Sequence, residues 1–126
     1  MTLVSLTCQY LPGGTVARMA GEVDATNSAR LLASLDQAHP RPQEPLFLDL
    51  SALTFLDSSG LRTLLDTRAR LAAAEGRLHL VAPHERVRRL LDLTGLAGSF
   101  EVHHTLNEAV TAAGLQATAC SGSAIA

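Results

Sequence analysis

The sequence has no tryptophan and few aromatic residues of any kind, and this shortage argues against one class of binding protein. Phe, Trp and Tyr together make up 3% of the 126 residues, so side chains on which nucleic-acid bases could stack are in short supply. The charge is also unsuited to a polyanion, because 10 basic residues stand against 12 acidic ones and leave a formal net charge of -2. We therefore expect no direct nucleic-acid partner.

Long hydrophobic runs and cysteine motifs are also missing. No apolar stretch approaches the roughly 20 residues that span a bilayer, and the first residues do not form a basic and apolar secretion signal. The two cysteines, Cys8 and Cys120, lie at opposite ends of the chain and match neither a zinc motif nor a disulfide framework. These absences predict a cytoplasmic protein with reduced thiols and no membrane association.

What is present is enough apolar material for one core. A chain of this length with 47% hydrophobic residues can bury roughly two thirds of its unfolded surface. Patterned segments continue to about residue 115, which predicts a single domain over residues 1–115. Residues 116–126 are small, polar and without a pattern, which predicts a disordered C-terminal tail.

The first half of the chain predicts a hairpin, a helix and a central strand. "TLVSLTCQYL" and "TVARMAGEV" are typical of two strands joined by a Pro-Gly-Gly turn. "ATNSARLLASLDQAHP" has leucines at helical spacing before two prolines. "PLFLDLS" is a nearly continuous apolar run and is typical of a strand covered on both faces.

The second half alternates helices and strands. A helix from Leu61 onward should end at a Gly76 cap, and "HERVRRLLDLTG" and "TLNEAVTAAGL" predict two more, the last with a Thr105 and Glu108 capping box. "RLHLVAP" and "SFEVHH" predict the intervening strands. The apolar face of the Leu61 helix should be formed by Leu61, Leu64, Leu65, Ala69 and Ala72. The order implies an α/β fold with a mixed sheet, an N-terminal antiparallel hairpin, later parallel strands and about four helices.

The stretch "FLDSSGLRTLL" raises the question of function, because it sets two serines where a strand passes into a helix. Asp57 or Ser58 would suffice as the helix N-cap, a role worth about 1 kcal/mol. A second serine and Gly60 in the first turn are poor helix formers. Either the stretch is only a cap, or one serine is a modification site, since a phosphate is favoured at a helix N-terminus.

Helical geometry alone favours Ser59 as the modified residue. At 100° per residue, Ser58 lies about 60° from Leu61 on the apolar side, and Ser59 lies about 160° from it, toward solvent. Because residues at a helix start can project past the end of the sheet, the geometry leaves both serines open.

The stretch "LDLSALTFLDSSGLRTLL" resembles the phosphorylation-site signature of STAS-domain anti-sigma factor antagonists. "GEVDATNSARLLASL" and "VRRLLDLTGL" resemble the entry to that family's first helix and its third helix, in the same order. The resemblance covers the chain from about Val16 to Leu115 and implies a STAS-like sheet. It also implies a binding protein with no enzymatic activity and no cofactor.

The resemblance further implies a partner and a switch. In this family an anti-sigma factor that is also a serine kinase binds the unphosphorylated antagonist, and a sigma factor is released. The kinase then phosphorylates the first serine of the motif, here Ser58, with Ser59 as the alternative, and a PP2C-type phosphatase removes the phosphate. We expect a monomer or weak dimer whose partner-binding surface includes Asp24, Asp57, Ser59, Gly60 and Arg62.

Arg62 departs from the family pattern, which often has glycine at this position. It lies four residues after Ser58, a helical spacing that would let its guanidinium bind a phosphoserine. The alternative interpretation is a solvated arginine paired with Asp66.

Other functions find less support in the sequence. A serine hydrolase would need one of four histidines beside the serines, but G-x-S-x-G is absent; the four are His79, His84, His103 and His104. Nucleotide-binding glycine motifs are absent as well. His103 and His104 are neighbours in a predicted strand and should point to opposite faces, so we expect no metal site from that pair. Arg86, Arg88 and Arg89 are typical of a solvated helix face. The remaining alternative is a STAS-type scaffold of a stress-signalling or transporter-associated complex without the phospho-switch.

Overall fold

The structure is a computed structural model that describes residues 3–115. Within them the chain forms five strands, namely β1 (Val4–Leu11), β2 (Gly14–Val23), β3 (Leu46–Leu56), β4 (Leu78–Val81) and β5 (Glu101–His103). The helices are α1 (Ser28–Ala38), α2 (Ser58–Ala73), α3 (Glu85–Leu93) and α4 (Leu106–Ala112), with a short 3-10 helix at Ala97–Ser99. The tail predicted for residues 116–126, together with Cys120, lies outside the described residues.

The strands form one sheet in the order β1-β2-β3-β4-β5. β1 and β2 pair as an antiparallel hairpin, and every later neighbour pairs in parallel. The predicted mixed sheet is therefore confirmed. Since β2 to β5 run in one direction, the loops that follow them gather at the same edge of the sheet.

Helices cover both faces of the sheet, so its central strands are buried on both sides. Leucines and a valine of α1, α2 and α3 pack into one core, and Ala109 and Val110 of α4 pack into a second core on Phe47. Phe47, Leu48 and Leu50 of β3 are fully buried, as the apolar run "PLFLDLS" predicts. In the part of the chain that the structure describes, no helix is both long and apolar enough to cross a membrane.

β3 runs five residues beyond the predicted strand and ends at Leu56, directly before the two serines. Its pairing with β2 shifts register between Arg18 and Ala20 and again between Gly21 and Glu22. Such irregularities bend a strand and change the direction of its side chains. Asp57 follows β3 directly, so it lies at the end of the sheet, where it is the N-cap of α2.

Two helix ends differ from the prediction. Glu75, with φ 65°, takes the left-handed position after α2 that we expected Gly76 to fill. Gly76 is needed for another reason, because a Cβ there would lie 1.9 Å from the Pro42 carbonyl oxygen. At α4, Thr105 accepts the N–H of Glu108 at 3.1 Å, but the Glu108 carboxylate accepts from His104 N, one residue before the N-cap.

A buried histidine connects the helix α1 to the hairpin. The His39 side chain is 1% exposed, and its Nδ1 lies 2.9 Å from Thr15 Oγ1 while its Nε2 lies 2.8 Å from the Glu44 carbonyl oxygen. Burial lowers the pKa of His39, and the nearby Arg70 acts in the same direction, although the bond to Glu44 opposes it. His39 is therefore neutral in the folded protein at neutral pH.

The free energy of unfolding is expected to fall as the pH drops below about 6.5, the ordinary pKa of histidine. Because the pKa of folded His39 is lower than that, the unfolded chain takes up more protons in this window and is favoured, by at most about 1.4 kcal/mol per pH unit. Above it the contribution of His39 is fully present. Urea unfolding between pH 7.5 and 5.5 measures the slope, which His39→Gln should reduce; an equal slope in wild type and variant would contradict this assignment.

Candidate functional site

The candidate site lies where the loops after β2 and β3 meet. Val23 and Leu56 are paired at the ends of these strands, and the N–H of Asp57 donates to the Val23 carbonyl at 3.2 Å. Asp24 follows Val23 directly, so both predicted acidic residues stand at the same edge of the sheet. α1 and α2 begin here, side by side.

Asp57 is the N-cap of α2. Its Oδ1 accepts the backbone N–H of Ser59 at 2.9 Å and that of Gly60 at 3.2 Å. The Asp57 carboxylate therefore already occupies these two amides of the helix start, and they are not free to bind a phosphate. A phosphate on Ser58 would thus meet a carboxylate beside it, so like-charge repulsion would direct it outward.

The structure exposes Ser58 and leaves Ser59 half-buried, the reverse of what the helical wheel indicated. The wheel counted only apolar residues, whereas the buried face of α2 also includes Gly60, Thr63 and Thr67. Ser59 lies one turn before Thr63, whose hydroxyl is 3.3 Å from the Ser59 carbonyl oxygen. Ser58, the first residue of α2, is therefore the more accessible of the two serines.

The loop that carries Asp24 is held in shape by its own hydrogen bonds. Asp24 Oδ1 accepts the backbone N–H of Thr26 at 2.8 Å, and Asn27 Oδ1 accepts the N–H of Asp24 at 3.0 Å. Asn27 Nδ2 donates to the Glu22 carbonyl at 3.0 Å, and Asn27 is buried. These bonds present Asp24 as part of an ordered surface beside α2.

A shallow groove runs between α1 and α2 and contains the two serines. Its lining includes Ser28, Leu32, Ser58, Ser59, Arg62 and Asp66. Arg62 is exposed, and its Nε lies 3.1 Å from Asp66 Oδ1. The structure thus contains the Arg62–Asp66 pair that we considered as the alternative to a phosphate-binding role.

Gly60 lets the start of α2 pack closely against the ends of β2 and β3. It is buried, and a Cβ at this position would lie 2.7 Å from Leu56 Cγ and 3.0 Å from Val23 Cγ1. This close approach explains a glycine in the first turn of a helix, where it is otherwise unfavourable. We expected Gly60 on the partner-binding surface, but it allows α2 to sit close to the ends of β2 and β3.

Sequence reasoning missed two residues that shape this surface. Phe55, two residues before Asp57, is 43% exposed, although an aromatic residue at the end of a central strand would usually be buried. The Thr63 hydroxyl lies 3.4 Å from the Ser28 carbonyl oxygen and so connects α2 to α1. The threonines were the available signal, because polar residues at positions 63 and 67 interrupt the leucine pattern on the inner face.

Two of the histidines considered for a serine hydrolase lie far from the serines. His79 of β4 pairs with Phe47 near the start of β3, and the nine residues from there to Leu56 span on the order of 30 Å. His103 of β5 is within 3.1 Å of His79. His84 serves as the N-cap of α3, where its Nδ1 accepts the N–H of Arg86 at 3.2 Å.

Comparison with known proteins gives consistent matches. The family model described as "STAS domain" matches residues 7–109. The anti-sigma-F factor antagonist RsfB of Mycobacterium tuberculosis is 31% identical over 108 residues, which cover 86% of this chain and 88% of that protein.

Two solved structures have folds similar to that of this chain. An anti-sigma factor antagonist from Mycobacterium paratuberculosis superposes with a TM-score of 0.77 at 31% identity, covering 88% of this chain and 94% of that one. The Bacillus cell fate determinant SpoIIAA, solved in the phosphorylated form, has a TM-score of 0.65 at 24% identity and covers 86% of this chain and 98% of that one. At this level of identity, the likeness to SpoIIAA shows only that the two proteins share a fold.

Proposed function

Because the chain belongs to the STAS domain family, and relatives over most of its length are anti-sigma factor antagonists, we propose that it binds an anti-sigma factor. The surface around Ser58 makes the contact, and binding sets a sigma factor free. The chain acts by binding, with no catalysis of its own. The observation that carries this proposal is the exposure of Ser58 at the first position of α2, beside a groove and the loops that carry Asp24 and Asp57.

The composition of this surface supports a protein partner. Phe55 offers exposed aromatic area next to the site, and aromatic residues are enriched at interfaces. The groove between α1 and α2 combines an apolar residue, Leu32, with hydroxyls and a charge pair. A surface with an apolar part and a polar rim is typical of reversible association.

We further propose that phosphorylation of Ser58 by the bound anti-sigma factor, acting as a serine kinase, ends the interaction, and that a PP2C-type phosphatase restores it. A phosphate adds about two negative charges next to the Asp57 carboxylate, whose oxygen is committed to the helix start. The fold tolerates this charge because it lies at an exposed helix N-terminus.

Arg62 is proposed to stabilise the phosphorylated state. Its present partner, Asp66, is a partly exposed residue one turn further along α2, and such pairs are worth only about 0.3–0.5 kcal/mol. A phosphate on Ser58, one turn before Arg62, carries more charge and more acceptor oxygens than a carboxylate. Arg62 is therefore expected to turn from Asp66 to the phosphate.

Arg62→Ala is expected to accelerate removal of phosphate from Ser58 by a phosphatase about two- to fivefold, the equivalent of roughly 0.5–1 kcal/mol for an exposed ion pair. Asp66→Asn should slow it, because the variant frees Arg62 from its competing partner. The rates are measured on the phosphorylated protein by intact-mass spectrometry. If both variants matched the wild type, Arg62 would have no role in the switch.

A three-component competition tests the antagonist role. The anti-sigma factor and its sigma factor are mixed at equal concentration, and the unphosphorylated chain is titrated in while sigma factor release is followed by fluorescence anisotropy. The proposal predicts stoichiometric release that stops once the kinase and ATP have phosphorylated the chain. Binding that is indifferent to phosphorylation would favour the STAS-type scaffold, and no binding to any anti-sigma factor of the cell would contradict the antagonist role.

A further inference from the structure

A second cluster of chemically active side chains lies at the opposite end of the sheet from Ser58. It consists of His79 on β4 and of Glu101 and His103 on the edge strand β5. His79 pairs directly with Glu101 in the parallel ladder, and His103 follows Glu101 by two residues. Since side chains alternate along a strand, all three are on one face of the sheet.

The geometry points to a binding site for a divalent transition metal, and we propose that His79 Nδ1, His103 Nε2 and Glu101 Oε1 bind Zn²⁺ there. Imidazole and carboxylate are ligands that Zn²⁺ accepts. The three ligand atoms lie within 4.8 Å of one another. The site is separate from the proposed function, because it uses none of the residues around Ser58.

The distances suit tetrahedral coordination. Two ligand atoms bonded to zinc at roughly 2.0–2.1 Å lie about 3.3 Å apart at a tetrahedral angle. His79 Nδ1 and His103 Nε2 are 3.1 Å apart, and Glu101 Oε1 lies 3.9 Å from His79 Nδ1. The third pair, His103 Nε2 and Glu101 Oε1, lies within 4.8 Å. Movement of the half-exposed Glu101 and His103 side chains would bring all three atoms to bonding distance, and solvent can fill a fourth position.

The surroundings fix the orientation of each ligand. Phe47 stacks on the His79 ring at 5.1 Å between centroids, and Arg77 Nη1 holds Glu101 Oε2 at 3.1 Å, which leaves Oε1 for the metal. Arg77 is thus a positioning residue. Both imidazoles bind as neutral rings, with the proton of His79 on Nε2 and that of His103 on Nδ1, so no proton is lost.

The burial of His79 is the independent observation. Its side chain is 1% exposed, and its Nε2 has no hydrogen-bond partner among the described residues. A buried polar atom without a partner costs about 1–3 kcal/mol, so the fold gains little from a histidine here. Nε2 points away from the three ligand atoms and stays unpartnered in the metal-bound form, whereas Nδ1 lies 3.1 Å from His103 Nε2. A metal bond at Nδ1 would outweigh the cost at Nε2, which a leucine or phenylalanine would avoid altogether.

Calorimetric titration of ZnCl₂ into the full chain tests the proposal. Both cysteines, Cys8 and Cys120, are first changed to serine, because cysteine thiolates can bind zinc and would add to the measured signal. We expect saturable binding of one equivalent, weakened at least about tenfold by His103→Ala and by Glu101→Gln. The matched control is His104→Ala, which removes an exposed neighbouring histidine and should leave the affinity unchanged.

Cobalt provides a second readout that does not depend on affinity alone. Co²⁺ bound by these three residues should give the intense visible bands of tetrahedral coordination, and these should disappear in His103→Ala. Circular dichroism verifies that each variant is folded. Absence of saturable Zn²⁺ binding, or equal binding by His103→Ala and His104→Ala, would overturn the proposal without affecting the antagonist role.

Discussion

Ser58→Asp is expected to weaken binding of the anti-sigma factor by about a hundredfold. A polar group that is desolvated at an interface without a partner costs about 1–3 kcal/mol, and a charged group costs more; each 1.4 kcal/mol is about a tenfold loss of affinity. Ser58 is exposed at the start of α2, so the new carboxylate stands beside Asp57 without disturbing the core. An acidic residue in the first helical turn also leaves the helix stable. The dissociation constant, measured by calorimetry, gives the effect.

Three variants separate charge at the site from charge elsewhere. Ser58→Ala should bind as tightly as the wild type and should resist inactivation by kinase and ATP. Ser59→Asp, at the half-buried neighbour, should have a smaller effect, and Ser5→Asp on the exposed side of β1 should have none. Equal affinities for Ser58→Asp and Ser5→Asp would contradict a binding surface centred on Ser58.

Gly76→Ala is expected to lower the free energy of unfolding by about 3 kcal/mol or more. Overpacking usually costs about 1–3 kcal/mol because side chains can move. Here the added Cβ would lie 1.9 Å from the carbonyl oxygen of Pro42, so backbone has to shift. Gly76 also donates to the Leu71 carbonyl at 2.7 Å as α2 ends, which limits movement from its own side. Urea unfolding measures the change.

Gly98→Ala is the matched control for that prediction. Gly98 lies in the 3-10 helix, and a Cβ there would meet no atom within 4 Å. Its stability should therefore stay within about 0.5 kcal/mol of the wild type. Similar losses in both variants would mean that the approach of Gly76 to Pro42 is not important for stability.

The order and type of the elements could be predicted because each carries its own period. The turn glycines, the apolar run of β3 and the leucine spacing of the helices are local signals, and together they gave the mixed sheet. The end of β3 could not be predicted in the same way. Thr54 and Phe55 are exposed there, and the strand continues because it pairs with β2 through register shifts, which are long-range properties.

The face of α2 shows why side-chain exposure was harder to predict. Leu61 and Leu64 are buried as expected, but Ala69 and Ala72 are exposed and Thr63 and Thr67 are buried. Hydropathy ranks alanine above threonine, whereas Thr63 is buried where α2 contacts Ser28 of α1. The same error turned the helical wheel toward Ser59, which the structure leaves half-buried.

At the candidate site, the sequence identified the cap and the serines because a helix start has strong local rules. It could not show that Asp24 and Asp57 follow paired strand ends, since that depends on the β2 and β3 register. The cluster of His79, Glu101 and His103 could not be predicted for the same reason. His103 and His104 were weighed as chain neighbours, whereas the relevant contact crosses from β5 to β4.

The proposed switch between binding and release of the anti-sigma factor depends on a phosphate on Ser58. Mass spectrometry of the protein isolated from its own cells, with fragment-ion localisation and with phosphatase-treated samples as the reference, tests it most directly. We expect a phosphatase-sensitive form with the phosphate on Ser58. Localisation to Ser59 would keep the switch and move its site, whereas a protein without phosphate under several growth conditions would contradict the account.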